Sequence, residues 1–153
     1  MGIFDNKTFS LPETFWDDYS SKCPAAIKAD NKIKSLYWSN DLKLNLPNNM
    51  SDPGTGGGAE IGFDPVQAYE TFLERMNEEQ RQKWNDFYKP ISDAFFQGGI
   101  PKPSSGLTID LYQRFMRDYM QSVAAVDDSI GEILDYLEES GQINNTLIVY
   151  TSD

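Results

Sequence analysis

Histidine is absent from this chain, and cysteine occurs once, at Cys23. The first absence removes the commonest general acid–base and the commonest zinc ligand. The second excludes an intrachain disulfide and gives no sign of the redox compartment. Positive charge is scarce too: 13 Lys and Arg stand against 24 Asp and Glu, for a net charge of −11. That balance opposes nucleic-acid phosphates and anionic lipids, so no nucleic acid is expected as a partner. No apolar run approaches the ~20 residues of a membrane helix, and no membrane span is expected. Met1-Gly2-Ile3-Phe4-Asp5 lacks the basic and apolar regions of a signal peptide, and Asn6 stands where a myristoylation motif wants Ser or Thr.

What is present fits a single globular unit. The 153 residues are 39% hydrophobic, with 9 Phe, 8 Tyr and 3 Trp to build a core. Residues 1–22 are aromatic-rich and irregular, and Leu11 before Pro12 is biased away from the helical region. Residues 24–37 are expected to form a helix, with Pro24 in its first turn and Ala25, Ala26 and Ile27 behind it. Leu42, Leu44 and Leu46 alternate with polar residues, a hint of a short strand. Residues 47–62 then form a flexible Gly/Pro/Asn loop within the unit. Its glycines are no phosphate loop, because no Gly-Lys-Ser/Thr follows and no strand precedes them.

Helical signals dominate the remainder. Asp64-Pro65-Val66-Gln67 offers an N-cap, a proline at the first helical position and a capping-box partner. Asn77-Glu78-Glu79-Gln80 repeats that logic for a helix carrying Trp84, Phe87, Tyr88 and Ile91. Pro90 is expected to kink or end it. From about Thr108 to Ser140, apolar residues from Leu111 to Leu137 keep three-and-four spacing, and Gly141 is placed to cap the C-terminus. Such a rod is too long for a small unit to cover evenly. Thr146-Leu147-Ile148-Val149-Tyr150 is continuous, apolar and β-branched, like strands buried on both faces of a parallel sheet. The expected fold class is therefore α/β and mostly helical, with one buried-type strand at the C-terminus. No second strand of similar strength is apparent, so the chain reads as a partial segment.

The stretch from Tyr112-Gln113-Arg114-Phe115-Met116-Arg117-Asp118-Tyr119 through Ser122 to Gly131 resembles the long helix of bacterial sulfatases. The resemblance continues through Leu134-Asp135-Tyr136-Leu137 and Ser140-Gly141 to Asn145-Thr146-Leu147-Ile148-Val149-Tyr150-Thr151-Ser152-Asp153. Leu11 to Tyr19 and Asn77 to Pro90 are similar to further stretches of that family, in the same order. The resemblance implies a fragment of the α/β fold shared with alkaline phosphatases. In full length it implies hydrolysis of sulfate esters by a formylglycine nucleophile, made from a Cys/Ser-x-Pro/Ala-x-Arg motif, with calcium held among carboxylates. The implied substrate is a sulfated small molecule or glycan, and many members are exported.

Residue by residue, little of that machinery falls within this chain. Cys23 fails the motif, since Pro24 comes one place early and Ile27 stands where arginine is required. Asp17-Asp18 mimics a metal-binding pair but sits in a mid-family segment, and it reads as structural or solvated, as does Asp127-Asp128. Asp153 alone carries over, as a metal ligand at the strand's end. One carboxylate cannot satisfy calcium's six to eight oxygens, so tight binding is not expected here. No catalytic residue is expected in this chain, and the isolated chain is expected to be inactive. Two other readings stand beside this one: a phosphoesterase of the same superfamily, and an acidic helical interaction module. Self-association through residues 146–150 is a further expectation, because an exposed strand is a pairing edge.

Overall fold

The computed structural model describes residues 2–29, 32–48, 50–56 and 62–151. Among the described residues there are four α-helices: α1 (Pro24–Lys28), α2 (Pro65–Glu74), α3 (Glu78–Phe96) and α4 (Ser105–Glu139). Single 3-10 turns occur at Ile33–Ser35 and Ile143–Asn145. No strand is formed among the described residues, which overturns the α/β expectation for this chain. Residues 146–150 are in no strand ladder among the described residues, and Leu147 and Tyr150 are 89% and 82% exposed. An apolar run becomes a strand only when a neighbour takes up its N–H and C=O groups.

The expected helix over 24–37 is cut to one turn and a 3-10 turn. α1 has no side-chain cap and buries no residue, so no packing reinforces its local preference. The expected strand at Leu42–Leu46 is absent for a different reason. Lys43 adopts a left-handed φ of 57°, which no strand accommodates, while Leu42 and Leu44 on either side of it are both fully buried.

Residues 33–46 make the core although they form little regular structure. Trp38, Leu42 and Leu44 cluster with Leu111 of α4. Ile91, Phe95 and Phe96 of α3 and Leu107 and Phe115 of α4 pack against that cluster. Trp38 meets Phe95 edge-on with ring centroids 5.1 Å apart. The segment's backbone is satisfied from outside: Asn45 N–H donates to Ser92 Oγ at 2.9 Å, and Leu42 O accepts from Arg114 Nε at 3.2 Å. Asp52 pins its other end, accepting from the N–H groups of Trp38, Ser39 and Gly54 and from the Ser39 hydroxyl. Gly54 must be glycine, because a Cβ there would lie 2.5 Å from Leu36 O.

α2 and α3 share a second cluster, Tyr69, Leu73, Trp84 and Tyr88. Asp64 caps α2 by accepting from the N–H groups of Val66 and Gln67, while Gln67's side chain turns to Thr71 instead of closing a capping box. The box at α3 is complete: Asn77 accepts from Gln80 N–H, and Gln80 Oε1 accepts from Asn77 N–H. Of the two outcomes expected at Pro90, an end to the helix does not occur: α3 continues to Phe96. Pro90 is exposed, and Tyr88, Ile91 and Phe95 anchor the helix on both sides of the missing donor.

α4 begins three residues earlier than the spacing suggests, because Ser104 caps it by accepting from Leu107 N–H. It ends as expected at Gly141, whose φ is 71°. Gly141 N–H donates to Glu138 O and Gln142 N–H to Leu137 O, the paired bonds of a Schellman cap. At 1.5 Å per residue, α4 runs about 52 Å. Its first half is packed, and residues 2–10 lie along it as a strap. Gln113 holds Phe9 by both amide atoms, accepting from its N–H at 2.9 Å and donating to its carbonyl at 2.8 Å. Tyr112 donates to Ser10 O and Arg117 to Lys7 O.

Candidate functional site

Asp153 lies outside the described residues. Cys23 is exposed at the N-terminus of α1. Asp17 and Asp18 each close a local turn, accepting from Tyr19 N–H at 2.7 Å and Ser20 N–H at 2.8 Å. The Ser20 bonds hold the Asp18 carboxyl below its ordinary pKa. Asp127 and Asp128 are exposed on α4. None of these carboxylates converges with others: among the described residues, no group of three or more His, Cys, Asp or Glu could hold a metal ion. The described residues therefore do not fit a calcium cage.

The polar centre that the fold does build was not singled out from the sequence. It sits where α3, the first half of α4 and residues 42–45 meet. Arg114 is buried, with its Nε donating to Leu42 O and its Nη2 to Asp118 Oδ2 at 2.8 Å. The two side chains are only 9% and 15% exposed. The guanidinium also lies 5.2 Å from the centroid of the Tyr88 ring, a favourable cation–π distance. Beside Tyr88, Trp84 Nε1 donates to the Tyr69 hydroxyl at 3.1 Å, and that hydroxyl reaches Lys43 O and Asn45 Oδ1.

Burial dominates the electrostatics of this centre. It pushes the Asp118 carboxyl above its ordinary pKa, against the opposing pull of Arg114 and Lys43. It lowers Lys43, whose ammonium donates to Asn40 O. It raises both tyrosines, Tyr88 to about 12, so each stays protonated at neutral pH. Asp118 Oδ1 is buried with no hydrogen-bond partner among the described residues. The arrangement is a clamp: each polar group holds an element in place, and the hydroxyls are kept in their unreactive form. One signal in the sequence pointed here, Arg114 among inward-facing Leu111, Tyr112 and Phe115, with Asp118 one turn later.

A second feature lies on the other half of α4. Tyr119, Val123, Val126, Ile130 and Tyr150, with Ser122 and Asp127, line an open, mostly apolar groove of about 510 Å3. No helix of the described residues is long and apolar enough to cross a membrane.

The sulfatase family model matches residues 62–153, which include the buried clamp's helices and the whole groove. This chain belongs to the sulfatase family. Across its full length it is similar to an N-acetylglucosamine-6-O-sulfatase of Bacteroides thetaiotaomicron, 34% identical over 154 residues. A shorter similarity, 40% identical over 62 residues and 39% of the chain, joins it to PehA, a multifunctional alkaline phosphatase superfamily protein of Trinickia caryophylli. The chain spans 25% of the length of the first relative, and the second match covers 12% of its own.

Proposed function

We propose that these residues are a segment of a sulfuric ester hydrolase which, in full-length form, cleaves sulfate esters on a small molecule or glycan. The observation that carries this reading is the similarity of the whole chain, 34% identical, to an N-acetylglucosamine-6-O-sulfatase. In this reading the chain contributes scaffold rather than catalysis. The formylglycine nucleophile comes from polypeptide outside this segment, and so do most oxygens around a calcium ion. Asp153 supplies one metal ligand. The buried clamp holds the first half of α4 against residues 42–45.

The isolated chain should be catalytically silent. Purified chain incubated with 4-methylumbelliferyl sulfate and with N-acetylglucosamine 6-sulfate is expected to release nothing above buffer. Appreciable turnover, with contaminating enzyme excluded, overturns the scaffold role. The similarity to PehA gives the phosphoesterase reading a specific footing. Coding sequence flanking this segment separates the two chemistries. An in-frame Cys/Ser-x-Pro/Ala-x-Arg upstream and Asn/Gln/His-Gly after Asp153 support the sulfatase. A Thr or Ser nucleophile without that motif supports phosphoryl transfer.

A further inference from the structure

We propose that the cleft along α2 binds a sulfated pyranose, with the sugar ring on Phe72 and the sulfate on Arg75. The proposal rests on the sulfatase reading above. The cleft, of about 480 Å3, is lined by Phe63, Asp64, Gln67, Thr71, Phe72 and Arg75 among others. Residues 64, 67, 71 and 75 recur at three-and-four spacing, which sets their side chains along one face of the helix. Phe63 and Phe72 are 38% and 41% exposed, yet neither ring is loose. Tyr37 braces Phe63 with ring centroids 5.4 Å apart, and Trp84 braces Phe72 at 5.2 Å. Rings that are braced yet open to solvent lose little freedom when a ligand stacks on them.

Charge selects the sulfated form. The chain carries −11, so its overall field repels anions and an anionic ligand needs a local cation. Arg75 is the one cation lining the cleft, and among the described residues its guanidinium makes no ion pair or hydrogen bond. Five open N–H donors in a planar fork match the oxygens of a sulfate. Arg75 lies about one turn beyond Phe72, so a pyranose stacked on that ring brings its sulfate within reach. Asp64 is the one carboxylate in the lining, and it caps the opposite end of α2. By helical rise it stands about 16 Å from Arg75, beyond the screening length of about 8 Å at physiological salt. It can therefore accept from a sugar hydroxyl without repelling the sulfate. Neither glutamate of α2 lines the cleft.

Nuclear magnetic resonance titration of the isotope-labelled chain tests this. The ligands are N-acetylglucosamine 6-sulfate, N-acetylglucosamine and sodium sulfate. The sulfated sugar should give saturable amide shifts centred on residues 62–75. The unsulfated sugar should bind at least ~10-fold more weakly, which is the contribution of one charge-assisted pair. Arg75→Met should abolish that preference, and Phe72→Ala should weaken both sugars at least ~3-fold. Circular dichroism checks that each variant keeps its helices. If Phe72→Ala unfolds through loss of its Trp84 contact, the exposed Arg75→Met still decides. Four results overturn the proposal: no saturable shifts, shifts centred elsewhere, equal binding of the two sugars, or sulfate alone binding as well as the sulfated sugar. Binding requires no turnover, so this proposal and the sulfatase reading fail separately. Saturable binding without a Cys/Ser-x-Pro/Ala-x-Arg motif in the flanking coding sequence keeps the cleft and counts against the sulfatase. The motif without binding does the reverse.

Discussion

The two halves of α4 have the same kind of sequence and opposite fates. From Leu107 to Asp118 the helix is packed, with Leu111, Tyr112 and Arg114 buried against residues 33–46, α3 and the N-terminal strap. From Tyr119 onward the apolar stripe continues at the same spacing, and no residue on it is buried. Helical periodicity therefore reports which face is meant to be covered, and only the partner decides whether it is. The first half finds its partner within the chain. The second half finds none among the described residues.

The comparison breaks most sharply at the core. Truncating Leu42 to Ala should destabilise the chain by about 2–5 kcal/mol, through lost burial and the cavity left behind. Trp38→Ala should cost about 3–5 kcal/mol. The equivalent truncation in the second half, Val126→Ala, should stay within about 0.5 kcal/mol, the range of surface substitutions. Urea unfolding followed by tryptophan fluorescence and circular dichroism gives all three. If Val126→Ala costs as much as Leu42→Ala, the second half is packed in solution and the contrast fails.

Arg114 should come next. Arg114→Met leaves the Asp118 carboxylate buried and unpaired, and should cost about 3 kcal/mol. Arg114→Met combined with Asp118→Leu should recover part of that loss, because the charge that lost its partner is gone. A double variant no better than the single one would assign Arg114's contribution to its Leu42 and Tyr88 contacts instead.

The clamp also has a pH signature of unusual sign. Most paired aspartates are lowered, and their contribution is lost as the solution is acidified. Burial raises Asp118 above its unfolded value of 3.8, so the folded chain holds this proton more tightly than the unfolded one. The stability from that site is fully present below the unfolded pKa and is lost as pH rises through the folded pKa. Wild type should therefore lose stability relative to Asp118→Asn as pH increases from about 3.8 upward. Paired urea titrations at several pH values measure the difference. A difference that moves the other way would mean that Arg114 outweighs burial.

The same contrast explains what was legible in the sequence. α2, α3 and α4 could be read because Asp64, Asn77 and Gly141 are local signals that the chain obeys locally. The shape of residues 33–46 could not, because its conformation is imposed from outside by Asp52, Ser92 and Arg114. At Pro90 the helix runs on past a local breaker, held by tertiary anchors on both sides. Residues 146–150 carry a strand's composition without a strand's partner. Of the site, resemblance pointed to Asp153 as a metal ligand, and that residue lies outside the described residues. The clamp was missed, since Lys43, Tyr88 and Asp118 come together only once the core has formed.

The smallest effect belongs at the end of α4, and it separates local from global stability. Gly141 sits at φ 71°, where a Cβ meets no neighbour but the backbone conformation disfavours any L side chain. Gly141→Ala should cost about 1 kcal/mol by weakening the Schellman cap. Since the second half of α4 has no core contacts to share that loss, it should appear as faster amide exchange over residues 131–140. The global unfolding midpoint should hardly move. If the midpoint shifts by the full amount while exchange does not, the two halves unfold as one unit. α4 would then be a single cooperative rod whose exposed half draws its order from the packed half.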